Sequence, residues 1–248
     1  MRVITLSRKG VAITFVVLFL LAAGTYYQSQ NLTIPSLVKQ AGTYYMINTH
    51  EKVVALTFDD GPDPLFTGHI LDVLKEKKVK ATFFVLGQNV KDNPDLLKRV
   101  HQEGHEVANH GYSHSYTSSQ FIRELVRTDE LIYQVINQHT RFYRPPGGLV
   151  SKSVIDGVRD NGYVVTLWSV DSWDWKNPGP TRIVQNVLKN SFPGAIILLH
   201  DGGEKREQTI QALSGIIEKL TQQGYHFVTV SELKNYEDTT PVQMLKPE

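Results

Sequence analysis

Two adjacent carboxylates, Asp59 and Asp60, close an apolar run that begins at Val53, and two histidines, His110 and His114, stand at i and i+4. A third histidine, His200, ends the apolar run from Ala195 to Leu199 and is followed by Asp201. Asp171 and Asp174 follow a run ending at Val170, and Arg144 follows Phe142 and Tyr143. One carboxylate with two imidazoles makes the three-ligand set of a catalytic divalent metal, with the fourth position left for water. Such a metal lowers the pKa of bound water and polarises a carbonyl oxygen. Neighbouring side chains of an extended segment point to opposite sides, so one of Asp59 and Asp60 can reach a metal while the other faces the water. Hydrolysis also needs a base for the water's proton and an acid for the leaving group. His200 suits the acid role if a carboxylate such as Asp174 keeps it protonated and oriented. Together the residues describe metal-assisted attack of water on an acyl group.

Each piece has a blander reading when taken alone. Asp59-Asp60-Gly61-Pro62 is good turn chemistry. The His110/His114 pair can be solvent-exposed, Arg144 before Pro145 and Pro146 can be a loop entry, and His200 with Asp201 can be a satisfied pair at a strand end. Their joint occurrence at five strand ends favours the chemical reading. All three tryptophans lie between positions 168 and 175. Trp168, inside an apolar run, reads as core, whereas Trp173 and Trp175 read as a groove wall suited to the apolar faces of sugars.

Short apolar runs alternate with segments of helical period between residues 51 and 235. Val53–Phe58, Ala81–Leu86, His105–Ala108, Phe142–Tyr143, Tyr163–Val170, Ala195–Leu199 and Tyr225–Val230 read as strands. Helices are expected up to Lys78, from Asp92 as N-cap to Gln102, over 119–138, from Ser151 to Gly162, over Thr181–Asn190 and over Gln208–Gln223. Strands apolar on both faces, alternating with helices, predict a parallel sheet covered by helices. The stretch is short for a complete eight-unit barrel of about 250 residues, so the expected fold is α/β, a distorted, incomplete (β/α) barrel of about seven parallel strands. A doubly wound open sheet is the runner-up, weakened by the lack of a glycine-rich dinucleotide fingerprint. In a parallel barrel the polar strand ends share one face.

The remaining chain sets the context. Arg2, Arg8 and Lys9 precede an apolar stretch centred on Val11–Ala23, so residues 1–27 read as a signal peptide or signal anchor that places the rest outside the cytoplasm, membrane-anchored or secreted to a cell wall. Residues 28–50 read as a linker and 236–248 as an irregular tail. With 26 basic against 25 acidic residues in 248, a net +1, no basic excess exists for nucleic acid. The absence of cysteine removes thiol catalysis and cysteine-ligated zinc, so a metal must be held by His and carboxylate. A monomer is expected.

The motifs Thr57-Phe58-Asp59-Asp60-Gly61-Pro62, His110-Gly111-Tyr112-Ser113-His114, Arg144-Pro145-Pro146-Gly147-Gly148, Asp171-Ser172-Trp173-Asp174-Trp175 and Ile197-Leu198-Leu199-His200-Asp201 occur in this order. In this the chain resembles the carbohydrate esterase family 4 polysaccharide deacetylases, the NodB-homology group, over about residues 51–230. The resemblance implies Asp59 as general base, Asp60, His110 and His114 as ligands of a divalent metal, usually zinc and sometimes cobalt, and Arg144 as the partner that keeps Asp59 ionised. It implies His200 as general acid tuned by Asp174, with Leu199 and Trp175 lining an acetyl pocket and Pro146, Gly147 and Trp173 meeting substrate. It also implies a shortened, distorted barrel, and an enzyme that removes acetyl groups from N-acetylglucosamine-type sugars of peptidoglycan or a chitin-like polymer. Two departures stand out. Gly111 occupies a place where the family often has a Ser or Thr whose hydroxyl can brace the metal loop, so a looser loop is expected; Gly147 replaces a common aromatic but keeps the backbone N–H that serves an oxyanion. Alternatives are an O-acetyl esterase acting on xylan or wall sugars, and a non-catalytic glycan-binding wall protein.

Overall fold

The protein is described by a computed structural model over residues 43–115 and 120–238. The hydrophobic segment of residues 1–27, most of the connector and the end of the tail lie outside the described residues. Among the described residues no helix is long and apolar enough to cross a membrane.

Among the described residues eight strands occur in chain order: β1 (Val53–Asp59), β2 (Thr82–Val85), β3 (Glu106–Asn109), β4 (Phe142–Tyr143), β5 (Val164–Val165), β6 (Val170–Asp171), β7 (Ala195–His200) and β8 (His226–Val228). Every strand pair is parallel, in the spatial order β5-β4-β3-β2-β1-β7-β6, with β8 joined to the first half of β1. The helices described around them are α1 (Thr67–Lys77), α2 (Gly87–Asp92), α3 (Pro94–Gln102), α4 (Phe121–Ile136), α5 (Lys152–Asp160), α6 (Pro180–Asn190), α7 (Glu207–Gln222) and α8 (Val230–Leu233). The sheet curls into the expected distorted, incomplete barrel.

The seven residues of β1 are all buried, as a central parallel strand covered on both faces requires. Alternation along the strands divides them between two environments. Val54, Leu56 and Phe58 of β1 and Ile197 and Leu199 of β7 join the helix side chains in one core. Val53, Ala55 and Ile196 face the other way and meet Ile47, Phe84, Phe142, Val230 and Leu233 inside the curl. In the register Thr57 lies opposite Leu198 and Asp59 opposite His200. The interior is therefore apolar at the start of the strands and polar at their C-terminal ends.

Several elements differ from expectation. Tyr163–Val170 is two short strands, because its beginning pairs with β4 and its end with β7. The two edges of the sheet are thus the two ends of one stretch of chain, and residues 166–169 between them leave the ladder. The helix expected from Asp92 begins at Pro94, whose missing N–H suits a first turn, while α2 ends at Asp92. The last strand stops at Val228, because Thr229 and Glu232 form a capping box that starts α8. Residues 43–49, read as the end of the connector, lie against the sheet: Tyr44 bridges Thr166, Met46 bridges Ala195, and Ile47 is 1% exposed.

Candidate active site

The ends of β1, β3 and β7 meet at a cavity of about 780 Å³ lined by Asp59, Asp60, His110, His114, Gly147, Trp168, Trp175, Leu198 and His200, among others. At the end of β1 the backbone turns sharply, with Asp60 at φ +76°, so the two carboxylates diverge. Gly61 packs closely here: a Cβ on it would lie 2.0 Å from Asp201 Oδ2.

Asp59 is 3% exposed and accepts a hydrogen bond from Arg144 Nη1 at 2.6 Å. Arg144 is fully buried and spends its other donors on Thr57 Oγ1 (2.9 Å) and on the carbonyls of Thr166 (3.3 Å) and Leu167 (3.0 Å). Those carbonyls belong to the break between β5 and β6, so one guanidinium both satisfies the interrupted ladder and holds Asp59.

Asp60 Oδ1 lies 3.4 Å from Nε2 of His110 and 3.4 Å from Nε2 of His114. Three donor atoms of these residues lie within 4.8 Å of one another. His110 Nδ1 sits 2.7 Å from the carbonyl oxygen of Arg144, which can only accept, so Nδ1 carries a proton and Nε2 faces the centre of the cluster. Burial opposes charge on this imidazole, but Asp59 and Asp60 outweigh it and raise it. Burial, then the neighbouring His110, push the His114 imidazole down toward its neutral form. Burial tends to raise Asp60, but the contact with His110 and the charges of His110, His200 and His114 overcome it and leave the carboxyl at about 2. Asp60 Oδ1 is buried and accepts no hydrogen bond. An orphaned carboxylate oxygen facing two imidazole nitrogens fits a divalent cation.

At the end of β7, Asp174 Oδ1 lies 2.8 Å from His200 Nδ1, and its Oδ2 accepts from the N–H of His200 (2.8 Å) and from Thr209 Oγ1 (2.9 Å). Burial opposes charge on the His200 imidazole, but Asp174 outweighs it, with help from Asp59 and Asp60, and raises it to about 9. Asp174 itself is held low by His200 and Thr209 despite its burial. Burial pushes the neighbouring Asp201 carboxyl up to about 7, only partly offset by the Thr67 hydroxyl bonded to it at 2.6 Å.

The structure therefore brings Asp59, Asp60, His110, His114, Gly147, Trp175 and His200 to one cavity, with Arg144 and Asp174 buried behind it. Leu199 is not on the wall. Side chains alternate, so Leu199 faces the helices with no exposure and Leu198 takes its expected place. Pro146 is buried, and Trp173, 47% exposed, stands outside the lining that includes Trp175. Trp168, expected in the core, is partly buried and lines the cavity, with Gly148 packed so closely that a Cβ would lie 2.7 Å from its ring. Thr209 and Glu124 were not singled out in the sequence.

The family model for polysaccharide deacetylase matches residues 46–166. A peptidoglycan-N-acetylglucosamine deacetylase of Bacillus cereus is 44% identical over 195 residues, covering 77% of this chain and 92% of the relative. A chitooligosaccharide deacetylase of Rhizobium leguminosarum bv. trifolii is 43% identical over 194 residues, 71% of this chain and 88% of the relative. The crystal structure of a peptidoglycan N-acetylglucosamine deacetylase in complex with 4-naphthalen-1-yl-N-oxidanyl-benzamide superposes with a TM-score of 0.77 at 37% identity, over 82% of this chain and 98% of that one. With likeness of this extent added to the parallel barrel and the cluster at its strand ends, the chain belongs to the polysaccharide deacetylase family, the carbohydrate esterase family 4 group.

Proposed function

We propose that the protein removes acetyl groups from N-acetylglucosamine-type sugars of a cell-wall polysaccharide, releasing acetate. The observation that carries this is the convergence, on one cavity, of the Asp60/His110/His114 donors with an Arg144-held Asp59 and an Asp174-held His200. Relatives that act on peptidoglycan and on chitooligosaccharides support an N-acetylated glycan as substrate and favour the wall side of a membrane. Residues 1–27 would then serve as export signal or anchor.

Asp60, His110 and His114 would hold a divalent cation, zinc by the character of two imidazoles and one carboxylate, with cobalt as a close substitute. When bound, such a cation polarises the acyl oxygen and makes water a stronger acid. Asp59, held in place by Arg144, takes the proton of the attacking water. The backbone N–H of Gly147 on the cavity wall donates to the oxygen that gains charge as the acyl carbon becomes tetrahedral. His200, protonated through Asp174, delivers a proton to the sugar nitrogen, and the C–N bond breaks to give acetate and the free amine. Trp175 packs on the sugar or acetyl group.

Asp59→Asn keeps the shape of the side chain but cannot take the proton. Acetate release from N-acetylglucosamine oligomers should fall by about 10²-fold or more while bound zinc, measured by atomic absorption, is unchanged. Turnover at the wild-type rate would refute Asp59 as the base. O-acetylated xylan run in parallel separates amide from ester cleavage.

A further inference from the structure

The loop from His110 to His114 carries two of the three donors of the cluster, and it belongs to no strand or helix. Several of its backbone groups nevertheless have partners on neighbouring elements. The carbonyls of Gly111 and Tyr112 accept from the N–H groups of Gly87 (2.9 Å) and Gln88 (3.1 Å) at the start of α2. The N–H of Gly111 donates to Asn109 Oδ1 at 2.8 Å. The N–H groups of Tyr112 and Ser113 both donate to Glu124 Oε2 at 3.1 Å, and the Ser113 hydroxyl donates to Glu124 Oε1 at 2.9 Å.

Two successive N–H groups aimed at one oxygen form an anion-binding concavity, and here its occupant comes from another element. Glu124 lies in the first turn of α4, where the helix dipole favours a negative charge. Gly111, at φ +84°, brings no hydroxyl to the loop, and a Cβ there would stand 3.5 Å from Glu124 Oε2. The carboxylate thus occupies the space beside Gly111 and supplies the acceptor that the loop's own sequence lacks. The looser loop expected from Gly111 is not what the hydrogen bonds describe.

We propose that Glu124 is a positioning residue for the metal site: by gripping Tyr112 and Ser113 it fixes the loop so that the Nε2 atoms of His110 and His114 both face Asp60 Oδ1. This rests on the reading of Asp60, His110 and His114 as metal ligands. Removal of the carboxylate leaves those N–H groups to water and loosens the loop that carries both imidazoles, so the cost falls on metal affinity, where loss of an outer partner typically amounts to about 10–100-fold.

The test is competition for Zn2+ between the purified protein and a chromogenic chelator, for wild type, Glu124→Ala, Glu124→Gln and Ile47→Ala. The last variant is a comparator that lowers stability away from the loop. Expected are a zinc Kd raised about 10–100-fold in Glu124→Ala, an intermediate value in Glu124→Gln, which keeps an acceptor oxygen, and an unchanged value in Ile47→Ala. The visible spectrum of the Co2+ form should shift in Glu124→Ala, and excess Zn2+ should restore its acetate release. A wild-type Kd in Glu124→Ala overturns the proposal, as does a loss of affinity that Ile47→Ala shares. If Glu124→Ala does not fold, the Kd of Glu124→Gln decides in the same way. Zinc bound equally by wild type and Asp60→Asn, or by neither, would sink the metal reading itself and this proposal with it, whereas tight wild-type binding indifferent to residue 124 sinks only the role of Glu124.

Discussion

Burial alone would discharge the His200 imidazole, and the 2.8 Å contact with Asp174 reverses that and raises it to about 9. Activity that needs the protonated ring should fall as pH rises through that region. In Asp174→Asn the carboxylate charge is gone, so the basic limb of the kcat/KM profile on N-acetylglucosamine oligomers should move down toward, or below, the ordinary imidazole value near 6.5. A limb that stays in place would show that another group sets it. The same contact carries a stability consequence with a definite sign. Because the folded value is raised, the pair stabilises the fold fully below about 6.5, and that contribution fades as pH climbs from there to about 9. The Thr209 hydroxyl on the other Asp174 oxygen keeps the carboxylate aimed while the ring gives up its proton.

Between elements, the tightest constraint lies where the turn after β1 crosses the turn after β7. Gly61 sits against the Asp201 carboxylate, which also binds Thr67 at the start of α1. Gly61→Ala must push that carboxylate or the Asp60 backbone aside, at a cost of about 1–3 kcal/mol or more. Urea unfolding should show the lower midpoint, and zinc affinity should fall with it because Asp60 is displaced. A variant as stable as wild type would mean that the turn yields elsewhere. At this scale most of the architecture was legible in advance: both long strands, β1 and β7, are apolar on both faces and end in charged residues, so type and position follow from composition. Ser151 caps α5 as expected. Less legible were features set by partners distant in sequence. Nothing local distinguishes Tyr163–Val170 from one continuous strand, because its break comes from pairing with β4 at one end and β7 at the other. Leu198 and Leu199 are chemically equal, and only the register with β1 decides which faces the cavity. Glu124 reads as an ordinary acid in a first helical turn until the loop it holds is seen.

At the scale of the whole domain, the described residues form a sheet whose two margins are supplied by residues 164–171, with Arg144 bonded to the carbonyls between them and reaching Asp59. Replacing the guanidinium by an apolar side chain of similar length, Arg144→Met, strands the buried Asp59 carboxylate and leaves the Thr166 and Leu167 carbonyls without their donor. A loss of about 3–5 kcal/mol in urea unfolding at pH 7 is expected, with acetate release abolished. The deficit should shrink in Asp59→Asn/Arg144→Met, where no charge is left unpaired; equal deficits in the two backgrounds would contradict the coupling.

The seam closed by Arg144 ties durability and reactivity to a single side chain. Neither property can drift there without dragging the other along. A lineage that gave up the guanidinium would have to repair the join in its barrel before selection could act again on hydrolysis.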